Sequence, residues 1–124
     1  MIIAIGNAPS SGSTFLADLL DATPVTASGP ELNLFGLRQL YKYEKFRNSP
    51  FADRSISVNK LSHQILTPFL HGWGLDANAY IKMVEDAETL EVFTRRLADH
   101  YLSLRGKSMD GVVFEKSPQN INGI

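Results

Sequence analysis

The chain contains no cysteine, almost no net charge and no long apolar run, and each absence removes a class of function. Without cysteine among its 124 residues, the chain has no disulfide framework, thiolate metal site or cysteine nucleophile. A net charge of −1 at pH 7 gives no general attraction to nucleic acid or to an anionic membrane. The apolar N-terminal run, Met1 to Ile5, is too short for a signal sequence or a membrane span. We therefore expect a cytoplasmic protein with no membrane segment and no nucleic-acid partner.

The apolar pattern of the chain predicts alternating strands and helices. Short β-branched runs that stop at glycine favour strands, whereas apolar residues at helical spacing that end before proline or glycine favour helices. The predicted strands are Met1 to Ile5, Val25 to Ser28 and Val112 to Phe114. The first predicted helix begins at Ser13 and closes over residues 21–24, and a later one is capped by Asp76 and runs to about Ala87. The others are Glu31 to about Phe46, Leu61 to Leu70 and Leu90 to Leu104.

This element order indicates an α/β fold, with a parallel sheet flanked by helices. Two or three strands are too few for a well-covered parallel sheet. We therefore expect residues 1–124 to form a single incomplete α/β domain. It would be the N-terminal part of a longer domain or be completed by a partner chain, and a homo-oligomer is one arrangement left open.

The segment between the first strand and the first helix has the composition of an anion-binding loop. Residues 10–14 read Ser-Ser-Gly-Ser-Thr, and backbone N–H groups at a helix start attract anions, while glycine lets the backbone come close. An ATP-type loop would have four residues between its glycines and a lysine before the last hydroxyl residue. Here Gly6 and Gly12 are separated by five residues, and Ser13 stands at the lysine position. A plain helix cap is the alternative for the loop alone.

Three short motifs, at residues 9–16, 29–35 and 114–118, together resemble the PAPS-dependent sulfotransferases, where PAPS is 3′-phosphoadenosine 5′-phosphosulfate. The run from Pro9 to Leu16, Pro-Ser-Ser-Gly-Ser-Thr-Phe-Leu, resembles their 5′-phosphosulfate loop. Gly29 to Phe35 resembles the segment after their second strand, and Phe114 to Pro118 resembles their Glu-Lys-(Ser/Thr)-Pro motif. The resemblance covers residues 2 to about 120 and implies the N-terminal portion of a P-loop-like sulfotransferase fold.

The resemblance also implies a reaction and a set of site residues. The reaction would transfer a sulfuryl group from PAPS to a hydroxyl of a small molecule or carbohydrate and release adenosine 3′,5′-bisphosphate, without a metal. The cofactor-binding residues would be Pro9, Ser10, Ser11, Gly12, Ser13 and Thr14. Glu31 would be the general base and Lys116 would stabilise developing charge, with Ser117 beside it and Lys60 a weaker candidate.

One departure from the family pattern bears on activity, because Ser10 stands where family members usually carry lysine or arginine. Two alternatives therefore stay open, a kinase-like nucleotide-binding protein and a sulfotransferase-like module that binds adenosine 3′,5′-bisphosphate without turnover. The family's residues for the 3′-phosphate have no counterpart in this sequence, so we expect these 124 residues to be inactive alone. His63, His71 and His100 show no metal-ligand spacing. Trp73 lies between two glycines, where it could line an acceptor pocket, but packing in the core is the stronger expectation.

Overall fold

A computed structural model describes residues 1–8, 11–32 and 70–118 of the chain. These ranges contain three strands and three α-helices. In chain order they are β1 (Ile2–Ile5), α1 (Ser13–Asp21), β2 (Thr26–Gly29), α2 (Ala77–Asp86), α3 (Leu90–Leu104) and β3 (Val112–Lys116), with a 3₁₀ turn at His71–Trp73.

The three strands form one parallel sheet in the order β1-β3-β2. Ile5 of β1 lies beside Lys116, and Gly29 of β2 lies beside Glu115. The predicted α/β class with parallel strands is therefore confirmed. Because the strands are parallel, their carboxyl ends meet at a single edge of the sheet, where α/β proteins bind ligands.

Most predicted elements within the described ranges are present with shifted ends. β2 lies one residue later than predicted, and β3 continues two residues beyond Phe114 to Lys116. The prediction that a helix begins at Glu31 is wrong, since Glu31 and Leu32 lie in no helix and the Leu32 N–H is bound by the Glu115 side chain. The rest of that predicted helix, Lys60 and nearly all of the predicted helix from Leu61 to Leu70 lie outside the described residues.

Side-chain caps fix the starts of α2 and α3. Asp76 Oδ1 accepts a 2.7 Å hydrogen bond from the Ala79 N–H, as expected for the predicted cap of α2. Thr89 Oγ1 accepts a 3.2 Å bond from the Val92 N–H at the start of α3. Each cap satisfies a backbone donor that the helix itself leaves free.

The hydrophobic core lies on one face of the sheet, beneath α3. That helix contacts all three strands and buries five of its residues, namely Phe93, Leu97, Ala98, Tyr101 and Leu102. Ala27 of β2 and Val113 of β3 meet it from the sheet and are fully buried. The Tyr80 and Phe93 rings of α2 and α3 pack edge to face at 5.7 Å, an arrangement that aromatic pairs favour. This face of the sheet is well packed.

The opposite face carries α1, which contacts β2 and β3 but buries none of its residues. Phe15 is 68% exposed and Leu19 is 54% exposed. The helix is anchored at its C-terminal end, where Asp21 forms a 2.5 Å ion pair with Arg105 and its carbonyl accepts a bond from Lys107. Among the described residues, this face has far less apolar cover than parallel sheets usually have.

Trp73 joins the segment after β2 to the core. Its ring is fully buried, stacks on Tyr101 at 4.4 Å and donates through Nε1 to the Pro30 carbonyl at 2.8 Å. A Cβ atom at Gly29 would come within 2.3 Å of the Trp73 ring, so only glycine fits there. Trp73 thus packs in the core, as expected. Its bond to the Pro30 carbonyl also holds in place the backbone that follows β2.

In the three described ranges, no helix combines the length and apolar character needed to cross a membrane.

Candidate functional site

The candidate site lies where the three strands end. β1 runs into the loop that begins at Gly6, β2 runs into Pro30 and Glu31, and β3 runs into Ser117. The Ser117 N–H donates to the Ile5 carbonyl at 3.1 Å, so the ends of β1 and β3 are joined by a backbone bond. The predicted anion loop therefore begins beside the motif that closes β3.

Glu31 and Lys116, the two residues that the resemblance gives a catalytic role, form an ion pair. Lys116 Nζ lies 3.1 Å from Glu31 Oε1, and the two side chains are 13% and 35% exposed. The lysine comes from the last residue of β3 and the glutamate from the turn after β2. A partly buried pair is less screened by solvent than a surface pair, and the exposed part of Glu31 remains open to a further molecule.

Glu115 orders this pair although it was not predicted as a site residue. Its side chain is fully buried, and Oε1 accepts a 2.8 Å bond from the Leu32 N–H as well as a bond from the Ser117 hydroxyl. A buried carboxylate needs such donors. Because Leu32 follows Glu31, this contact holds the turn after β2 against the end of β3. A sequence signal existed, since Glu115 belongs to the same five-residue motif as Lys116.

The predicted anion loop starts α1 through a left-handed glycine. Gly12 is the N-cap of α1 with φ of 78°, a conformation that favours glycine over other residues. No side chain of the described residues caps this helix start, and its first turn contains no acidic residue. Ser11, Gly12 and Thr14 are exposed and Ser13 is half-buried, whereas Pro9 and Ser10 lie outside the described residues.

Asn7 connects this loop to β1. Its side-chain nitrogen lies 3.2 Å from Ser11 Oγ and 3.1 Å from Ser13 Oγ. Asn7 was not singled out in the sequence, because no spacing rule marks a residue that acts on hydroxyls four and six positions later. The loop therefore presents backbone N–H groups, several hydroxyls and the positive end of a helix dipole to one place, which is an arrangement that binds anions.

Behind the site, on the packed face, a tyrosine hydroxyl lies in an apolar environment. Tyr101 is 3% exposed and donates through its hydroxyl to the Ser28 carbonyl at 3.2 Å. Burial raises the pKa of the Tyr101 hydroxyl above its ordinary value of 10.0, so the group stays neutral and remains a donor.

The two histidines in the described ranges do not converge on a site. His100 Nε2 lies 2.8 Å from the Trp73 carbonyl, His71 is exposed, and His63 lies outside the described residues. Within residues 1–8, 11–32 and 70–118, no three histidine, aspartate or glutamate side chains come close enough together to hold a metal ion.

No protein-family model matches the chain, and searches of curated proteins and of solved structures gave no significant match. The sulfotransferase resemblance therefore rests on the motif residues and on where the fold brings them.

Proposed function

We propose that the chain is part of a PAPS-dependent sulfotransferase of P-loop-like fold, which transfers a sulfuryl group to an acceptor hydroxyl. The observation that carries the proposal is the 3.1 Å pair of Lys116 with Glu31 at the sheet edge where the anion loop also begins. Each of the three stretches lies at or near the end of a strand, and the parallel sheet brings the ends of its strands to one edge. That edge therefore holds Glu31, Lys116 and the start of the anion loop close together, as the proposal requires.

The described part of the loop fits a single 5′-phosphate. The start of α1 has free backbone donors without a side-chain cap, and Ser11 and Thr14 are exposed beside it. A phosphate monoester needs hydrogen-bond donors on several oxygens, which hydroxyls and helix N–H groups provide. Residues 11–14 of this loop would hold the 5′-phosphate, together with Pro9 and Ser10.

The bound PAPS would supply an activated sulfuryl group, whose bond to the 5′-phosphate oxygen breaks as the acceptor oxygen bonds to sulfur. Glu31 would accept the proton that leaves the acceptor hydroxyl. Its 35% exposed side chain leaves room for that hydroxyl within hydrogen-bond reach. Lys116 would donate to the sulfuryl or phosphate oxygens as their charge grows. An ammonium group has three donors, so it can bind Glu31 and an anion together.

Titration calorimetry of the full-length protein with adenosine 3′,5′-bisphosphate, compared with Mg-ATP, tests the proposal, because the family's residues for the 3′-phosphate have no counterpart within residues 1–124. We expect heat of binding with the bisphosphate and tighter binding than with Mg-ATP. Tighter binding of Mg-ATP would instead support a kinase-like nucleotide-binding protein. An absence of binding to both nucleotides would contradict the proposal.

The role of Glu31 is tested in any form of the protein that sulfates an acceptor. We expect Glu31→Gln to lower kcat about 100-fold, the lower range for loss of a general base, while the bisphosphate still binds. Glu91→Gln is the matched control, because Glu91 is a 79% exposed glutamate on α3 that pairs with Arg95. Unchanged sulfation by Glu31→Gln would remove Glu31 as the base.

A second candidate is a module that binds adenosine 3′,5′-bisphosphate without turnover. One observation favours it, namely the serine at position 10, where the family usually carries lysine or arginine. It predicts the same calorimetric preference for the bisphosphate, but no sulfuryl transfer to any acceptor.

A further inference from the structure

Three hydrogen-bond acceptors surround the side-chain nitrogen of Asn7. The Nδ2 atom lies 2.8 Å from the Ala8 carbonyl, 3.1 Å from Ser13 Oγ and 3.2 Å from Ser11 Oγ. Its Oδ1 atom is buried and has no hydrogen-bond partner among the described residues. The amide therefore directs all of its donor capacity into the loop.

The Ala8 carbonyl fixes which way this amide faces. A carbonyl oxygen only accepts, so the side-chain atom 2.8 Å from it must be the nitrogen. Reversing the amide would place Oδ1 against that carbonyl, with two acceptors in contact. The orientation follows from the local chemistry, although nitrogen and oxygen have similar shapes.

This orientation determines what the two serine hydroxyls can do. Nδ2 carries two protons and does not accept, so it shares these protons among the Ala8 carbonyl, Ser11 Oγ and Ser13 Oγ. The two hydroxyls can only accept from Asn7, and the proton of each points away from it. Neither hydroxyl has another hydrogen-bond partner within residues 1–8, 11–32 and 70–118. Both protons are therefore available to an acceptor that enters the loop at the start of α1.

We propose that Asn7 is a positioning residue that turns the Ser11 and Ser13 hydroxyls into donors for the 5′-phosphate. This inference rests on the proposed function, because it concerns the same loop and the same ligand group. An acceptor at position 7 would draw the two hydroxyl protons toward itself and leave their oxygen lone pairs facing the phosphate. Asn7 thus sets the hydrogen-bond polarity of the loop without carrying a charge.

A double-mutant cycle separates this role from a purely structural one. The Kd for adenosine 3′,5′-bisphosphate is measured in four proteins. They are the native sequence and the Ser11→Ala, Ser13→Ala variant, each with and without Asn7→Ala. We expect Asn7→Ala to weaken binding about tenfold in the native sequence, equivalent to about 1.4 kcal/mol. In the background without the two hydroxyls we expect less than a twofold effect.

Equal fold-changes in the two backgrounds would overturn the inference, because they would mean that Asn7 acts on the loop backbone alone. No effect of Asn7→Ala in the native sequence would overturn it as well. Asn7→Asp is a second variant of nearly the same shape, and its carboxylate can only accept at pH 7. We expect it to weaken binding more than tenfold, whereas binding at the native level would contradict the role of Asn7 as donor.

Two controls keep the outcomes distinct. Asn78→Asp introduces the same charge on the exposed surface of α2 and should leave the Kd within twofold. The thermal unfolding midpoint of each variant shows whether it is folded. If the native protein itself does not bind the bisphosphate, the proposed function fails, whereas native binding without an Asn7 effect rejects only this inference.

Discussion

The helices α1 and α3 have similar amphipathic sequences, but they lie on the sheet in different ways. α3 buries five side chains against all three strands. α1 buries none, and its apolar residues Phe15, Leu16 and Leu19 are 68%, 42% and 54% exposed. α3 is held by apolar contact, whereas α1 is held largely by polar links from Asp21 to Arg105 and Lys107.

The comparison shows that an apolar stripe predicts a helix but does not predict what covers it. Both stripes are good sequence signals, and both helices form where expected. The stripe of α3 faces a sheet and two further helical segments in the described residues. The stripe of α1 has no comparable cover there. The anion loop of the candidate site lies at the start of α1, so this part of the site is built on the less buried helix.

The largest expected contrast is between one phenylalanine on each helix. Phe93→Ala on α3 removes a fully buried ring and should lower the free energy of unfolding by about 4 kcal/mol. Phe15→Ala on α1 should cost less than about 0.5 kcal/mol, because its ring is exposed. Urea unfolding followed by the fluorescence of Trp73 measures both. Similar losses in both variants would show that α1 is covered in the folded protein.

A second contrast concerns two glycines, Gly29 against the packed core and Gly12 at the start of α1. Gly29→Ala would drive a methyl group into the buried Trp73 ring, and we expect a loss of about 3 kcal/mol. A Cβ atom at Gly12 would have no described atom within 4 Å. Gly12→Ala should therefore lower the free energy of unfolding only by the cost of a positive φ, about 1 kcal/mol. Thermal unfolding would rank the two. A larger loss for Gly12→Ala would mean that the loop, and not the Trp73 contact, limits stability.

The smallest effect is a pH dependence on the packed face. Burial raises the pKa of Tyr101 above 10.0, so the folded state holds this proton more tightly than the unfolded state does. Stability should therefore fall as the pH rises above about 10. The stability of Tyr101→Phe should fall less steeply over the same pH range. Unfolding midpoints measured between about pH 9 and 11 would show the difference. An identical slope in the native protein and the variant would refute this assignment.

The sequence predicts the features that depend on near neighbours. Asp76 caps α2, the stripe from Leu90 to Leu104 forms α3, and β1 ends before Gly6, because each depends on residues only a few positions apart. These local rules were sufficient for the α/β class and for the parallel strands.

The rest of the site depends on contacts between distant segments. The bond from Leu32 to Glu115 joins residues 83 positions apart, and no local rule finds it. The same holds for the ion pair of Glu31 with Lys116. The resemblance implies a role for each of the two residues, but only the fold shows that they lie close together. Asn7 was missed for another reason, since its importance comes from the direction of one amide.

The central position of β3 has a consequence for how the protein is made. β1 and β2 do not pair with each other, because β3 lies between them, and β3 is the last of the described strands along the chain. The sheet cannot assemble until residue 116 has been synthesised. Ribosomes add about 5–20 residues per second, so several seconds separate the synthesis of β1 and β2 from that of β3. The nascent chain therefore passes through a stage in which β1 and β2, which lead into the anion loop and Glu31, are not yet joined by β3.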